Sequence, residues 1–222
     1  MTRKTGETIE AAATPAADHP PRAADRIRRT ARELFYREGI RAVGVDEIVA
    51  RAGVTKPSLY RSFSSKDELA ASYLRDYEGE FWGRFDAAVA AHPGDPRAQL
   101  HEFFARLAGR ATRSGYRGCG LTNAAVEYPE AGHPARAVAE AHKRALRDRL
   151  TGMAKAMAAR EPEVLADGLL LLLEGAYASG QLFGPDGPAR SVAIAADRLI
   201  AASLPPKKRR RATSLKRRSV RG

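Results

Sequence analysis

The chain has one cysteine in 222 residues, Cys119, so it can form no internal disulfide and no thiolate metal cluster of its own. A reducing compartment, and hence a cytoplasmic location, is the expectation. Long apolar runs are also missing. The longest, Leu169 to Leu173, is far too short to span a bilayer, and residues 1–21 contain no apolar stretch of the kind a secretory leader carries. No stretch alternates apolar and polar residues in the manner of a half-buried strand. His92, His101, His133 and His142 lack the i, i+4 spacing that places two metal ligands on one helix face. Phosphate-cradling glycine loops and nucleophile elbows are absent, so no catalytic constellation, cofactor or metal is expected.

What the chain does have is positive charge, unevenly placed. Of the formal net charge of +12, residues 22–66 carry +6, with eleven Lys/Arg against five Asp/Glu. Residues 205–222 (PPKKRRRATSLKRRSVRG) carry nine basic residues and no acid, while residues 67–204 are slightly acidic. Basic modules flanking a near-neutral body fit nucleic-acid binding better than a uniformly basic coat does. Residues 1–21, ending in Pro20-Pro21, and the tail 205–222 read as disordered; the tail is expected to attract phosphates without sequence preference.

Between them the pattern is helical. Ile27, Ala31, Leu34 and Phe35 mark one face of a first helix closed by Gly39. Val45 to Ala52 fits a short second helix, with Asp46-Glu47 in its first turn and Gly53 ending it. Thr55 can cap a third helix with Pro57 in its first turn, and Ser65 a fourth in which Leu69, Tyr73, Tyr77, Phe81 and Phe85 recur. Further helices are expected over about 96–113, 121–128, 134–159, 162–183 and 188–203. The fold class is therefore all-α, about nine helices. It divides into a disordered 1–21, a three-helix helix-turn-helix over 22–66, a second helical domain over 67–204, and the basic tail.

A longer helix followed by two short helices around a glycine is the physical form of a helix-turn-helix. Residues 31–69 also carry Leu34-Phe35 with Gly39, Val45-Asp46-Glu47-Ile48, Ala52-Gly53-Val54, Leu59-Tyr60, Phe63, and Lys66 followed by Leu69. This stretch resembles the DNA-binding domain of the TetR/AcrR family. Gly118-Cys119 with Asn123-Ala124-Ala125 and Glu127 resembles a segment found in a subset of that family. The resemblance implies a dimer whose recognition helices, about 55–61, enter successive major grooves of a double-stranded operator. It places Thr55, Lys56 and Ser58 toward DNA and Tyr60 and Lys66 on phosphates. Lys56 is the first candidate for a base edge and Arg61 the second, since both cations suit guanine O6/N7. Three positions depart from the family pattern: Gly44 where Thr is usual, Pro57 where Gly is usual, and Ser62 where His or Tyr is usual. Arg41, Arg26, Arg28 or the tail are candidates to make up the lost phosphate contacts. For Tyr60 the competing reading is a buried ring, and for Lys66 a lysine in solvent.

The resemblance also implies a small-molecule effector. Trp82, Phe85, Phe103, Phe104, Tyr116 and Tyr177 are the aromatic candidates for its pocket, each with plain core packing as the alternative. Asn123 and Glu127, four apart on one face, are the polar candidates, with a cap or inter-helix hydrogen bond as the alternative. Residues 166–183 are apolar nearly all round, so a second subunit is expected to cover them, in a two-fold homodimer built from helices 162–183 and 188–203. The functional expectation is a ligand-released repressor. The alternative is an architectural or constitutive DNA-binding protein with a vestigial sensing domain.

Overall fold

In a computed structural model the described residues are 22–206. The expectations for residues 1–21, and for the tail beyond Pro206, lie outside them. Among the described residues there are nine α-helices, two short 3-10 turns and no strand.

The first three helices are α1 (Ala23–Glu38), α2 (Val45–Ala52) and α3 (Lys56–Ser62). Ile27, Ala31, Leu34 and Phe35 of α1 are buried, as their spacing requires, and they meet Ile48 of α2 and Leu59 of α3. Each of the Ile, Leu and Phe side chains contributes roughly 1.5–3 kcal/mol by leaving water. Gly53, with φ of 62° and ψ of 42°, provides the left-handed turn between α2 and α3. The Thr55 hydroxyl caps α3 by accepting from the Ser58 amide at 3.4 Å. Ser65 caps α4 (Lys66–Ala91) by accepting from the Glu68 amide at 3.1 Å, and the Glu68 carboxylate returns to the Ser64 amide at 2.6 Å.

The remaining helices are α5 (Pro96–Ala111), α6 (Gly120–Glu127), α7 (Pro134–Ala156), α8 (Pro162–Phe183) and α9 (Val192–Ser203). Several boundaries differ from expectation, and α5 stops at Ala111 rather than 113. α7 stops at Ala156 rather than 159, because Ala158 turns left-handed at φ of 54° and the Ala159 amide closes back on the Ala154 carbonyl at 3.1 Å. The expected helix 188–203 opens with a 3-10 turn, Pro188–Ser191, before α9. One continuous core runs from α1 through α4 into α9. Its centre is an aromatic stack of Phe81, Phe85 and Phe103, with the His142 ring 4.6 Å from Phe81.

Candidate nucleic-acid interface and effector crevice

The short helix α3 is anchored from below and open above. Leu59 and Phe63 are buried, while Tyr60 is 50% exposed and Thr55, Lys56, Arg61 and Ser62 face solvent. A seven-residue helix this short holds its shape by packing and capping, not by propensity. Thr55 donates to the Ser58 hydroxyl at 3.2 Å and Arg61 donates to the same oxygen at 2.7 Å, so these side chains form one polar row along the helix. Lys56 is tied across to Asp46 of α2 at 2.7 Å, and that hydrogen bond raises its pKa. Lys66 donates to the Arg41 carbonyl at 3.3 Å, and burial lowers its pKa. It fastens the α1–α2 turn to the start of α4.

The three departures from pattern have visible local consequences. Gly44 leaves α2 without a side-chain cap. Pro57 sits in the first turn of α3, where its missing N–H removes nothing. The Ser62 hydroxyl folds back to the Ser58 carbonyl at 3.3 Å. Arg28 lies over the Phe63 ring at 5.7 Å, and Arg26 reaches the Gly53 carbonyl at 3.4 Å. Arg41 turns away from α3 altogether. Its backbone N–H donates to the Glu127 carboxylate at 2.8 Å, its guanidinium donates to the Glu127 carbonyl at 2.9 Å, and it stacks 5.3 Å from the Tyr128 ring.

Farther along, a crevice of about 410 Å³ opens between the C-terminal half of α1, the middle of α4 and the end of α5. Tyr73, Tyr77, Glu80 and Arg84 supply its α4 wall, Arg32 and Tyr36 its α1 wall, and Arg110 and Tyr116 its floor. Arg32 and Glu80 form a two-pronged ion pair across it. The Tyr36 and Tyr77 hydroxyls both donate to the Gly118 carbonyl, at 3.4 and 3.3 Å, and the Arg117 amide donates to Tyr36 at 3.1 Å. A second, apolar groove of about 740 Å³ runs between α8 and α9, lined by Gly168, Leu171, Gly175, Val192, Ala195 and Leu199.

The family model "Bacterial regulatory proteins, tetR family" matches residues 27–73, the helix-turn-helix and the start of α4. A TetR-family transcriptional regulator from Streptomyces coelicolor is 30% identical and superposes with a TM-score of 0.73 over 82% of this chain and 93% of its own. The chain belongs to the TetR family. A further TetR-type regulator, from Streptomyces avermitilis, is also 30% identical, with a TM-score of 0.70 over 82% of this chain and 98% of its own. Among curated proteins, the HTH-type transcriptional activator FasR of Mycolicibacterium smegmatis is 53% identical over 45 residues, 20% of each chain. The HTH-type transcriptional repressor KstR2 of Rhodococcus jostii is 36% identical over 67 residues, 30% of this chain and 32% of its own. The matches to curated relatives thus span a third or less of those proteins.

In this TetR-family regulator the sequence candidates fall into three groups. Thr55, Lys56, Ser58, Tyr60 and Arg61 share α3 and its cap, and Lys66 sits behind them at the start of α4. Phe85, Phe103 and Phe104 are closed against one another, and Trp82 lines a shallow surface cleft with Asp86 and Arg149. Tyr177 is buried, with the Lys143 ammonium 5.3 Å from its ring. Asn123 donates to the Arg117 carbonyl at 2.8 Å, and Glu127 clamps Arg41; both hold the molecule together rather than face a cavity. Of the eight effector candidates, Tyr116 alone lines the crevice. The other crevice residues escaped sequence reasoning. Tyr73, Tyr77 and Arg84 do share an i, i+4, i+11 face of α4, but they read there as ordinary core and surface. No helix of the described residues is long and apolar enough to cross a membrane.

Proposed function

We propose that this chain is a homodimeric DNA-binding repressor that a small molecule releases from its operator, with residues 22–66 as the DNA-reading unit and 67–204 as the sensing and dimerisation unit. The observation that carries the DNA reading is α3: a capped helix whose apolar side is anchored and whose polar row stands free for a major groove. In this reading Thr55, Ser58 and Tyr60 meet the DNA backbone and Arg61 reaches a base edge. Lys56 does so only by exchanging Asp46 for a guanine, and Lys66 acts chiefly by fixing the turn above it.

Dimerisation through α8 and α9 is supported by the apolar groove between them and by exposed Leu171, Phe183 and Ile194. Apolar surface of that extent on two neighbouring helices is the mark of an interface. Repression is supported by the KstR2 proteins of Rhodococcus jostii and Mycolicibacterium smegmatis, both named repressors, although the FasR match is named an activator. A constitutive DNA-binding protein is the second reading. The filled stack of Phe85, Phe103 and Phe104 favours it, since it leaves no room for an effector among those side chains.

The test is selection of bound fragments from genomic DNA, followed by transcription in vitro from a promoter containing the selected site. Transcription that falls as protein is added supports the repressor; transcription that rises contradicts it.

A further inference from the structure

The crevice between α1, α4 and α5 is unusual in its charge. Five arginines line it against two glutamates. Glu80 is already committed to Arg32 and lies 3.6 Å from Arg84. The Arg84 Nε is buried and has no hydrogen-bond partner among the described residues. The Arg110 guanidinium makes no ion pair or hydrogen bond among the described residues, and burial, followed by the proximity of Arg84, holds its pKa below the usual arginine value. Two neighbouring cations, one of them half-desolvated and unpaired, cost stability with no visible structural return. Sites that spend stability in this way are commonly functional.

The walls are as informative as the floor. The Tyr36 and Tyr77 rings lie 6.3 Å apart at an interplanar angle of 27°. Their hydroxyls are taken by the Gly118 carbonyl, so they present ring faces and edges more than free O–H groups. Tyr116 rests against α8 at Gly180, where an added Cβ would lie 2.9 Å from its ring. Its position is therefore built in. A bare inorganic ion would leave these rings without contact, and a neutral ligand would leave Arg110 without a partner.

We propose that this crevice binds a small aromatic carboxylate, its charge held by Arg110 and Arg84 and its ring packed among Tyr36, Tyr77 and Tyr116. A carboxylate matches the planar fork of a guanidinium, and about 410 Å³ is within the range of small-molecule sites. The site lies where α1 of the reading unit crosses α4. A ligand that draws Arg84 away from Glu80 leaves that carboxylate to Arg32 alone, which changes the tie between those helices and so shifts the pose of α3. Binding itself does not depend on the reading of the chain as an effector-released repressor; the effect on DNA does.

Titration calorimetry on the full chain without DNA tests the site, using benzoate, phenylacetate and salicylate, with benzamide and inorganic phosphate as controls. The expected result is saturable binding of at least one carboxylate with a Kd below about 1 mM. Arg110→Gln and Arg84→Gln are each expected to weaken it tenfold or more, and Arg110→Gln to melt no lower than the parent, because it removes an unpaired cation. Gly180→Ala, whose Cβ would meet both the Ala111 carbonyl at 2.8 Å and the Tyr116 ring at 2.9 Å, is expected to weaken binding too and to lower the melting temperature. The proposal is overturned if none of the carboxylates binds, if binding survives Arg110→Gln, or if benzamide or phosphate binds equally well. Binding that leaves DNA affinity unchanged keeps the site and removes the effector-released reading instead.

Discussion

His142 is the side chain most at odds with its surroundings. It is fully buried between Phe81 and Trp82, with Nδ1 3.3 Å from Glu78. Burial and the neighbouring Lys143 lower its pKa to about 4, although Glu78 and Glu174 pull the other way. The folded state thus resists protonation that the unfolded chain accepts near its ordinary pKa of about 6.5, and stability falls as pH drops through that window, by roughly 2 kcal/mol at pH 5. Urea midpoints at pH 7 and pH 5 measure this, and His142→Leu is expected to flatten the difference. A second residue-scale expectation concerns Glu127. Its carboxylate serves the Arg41 amide, so Glu127→Ala is expected to cost about 1 kcal/mol and to speed hydrogen exchange at that amide. Neither role was legible in the sequence. The i, i+4 relation of Asn123 and Glu127 puts them on one helix face, but Asn123 bonds the nearby Arg117 carbonyl, and the partner of Glu127 lies 86 residues away in the chain. Likewise, that the Arg110 side chain lacks a partner among the described residues is a fact about three helices at once.

Elements were read far more successfully than contacts. α2, α3, α4 and α8 fall where the apolar period and the capping residues predict, because Gly53, Thr55, Ser65 and Pro162 act through local backbone chemistry. α7 was read too long because Ala158 adopts a left-handed turn without the glycine that usually signals one. The link between α5 and α6 makes a sharper demand. Gly118 has φ of 72°, and an added Cβ would meet Gln181 Nε2 at 2.4 Å and the Tyr177 carbonyl at 3.1 Å. Gly118→Ala therefore combines backbone strain with a collision and is expected to cost about 1–3 kcal/mol. In thermal melts of a chain this size that is a fall of several degrees. It is also expected to disturb the Tyr36 and Tyr77 hydroxyls that hold this loop.

At the scale of the whole molecule, the apolar character of residues 166–183 pointed to a covered face. The single chain leaves Leu171 71% exposed and Phe183 62% exposed. Leu171→Glu is expected to shift the protein from dimer to monomer in light scattering and to reduce DNA affinity, since one recognition helix alone reads half a site. A monomeric parent protein would remove the two-fold account. The helix-turn-helix was legible because its signals are local, whereas the spaces between the later helices were not. The aromatic residues of α4 and α5 do cluster, but the cluster is filled, and the charged crevice lies between α1, α4 and α5, lined by arginines that looked like surface charge.

DNase footprinting of the full chain on its selected genomic fragment tests the central claim most directly, that α3 of a two-fold dimer reads DNA. The account predicts a protected near-palindrome with half-site centres about 34–36 Å apart or a multiple of that, lost when Tyr60 and Arg61 are replaced by Ala while the fold and the dimer persist. Protection without sequence preference, or a footprint that survives those replacements, would contradict it.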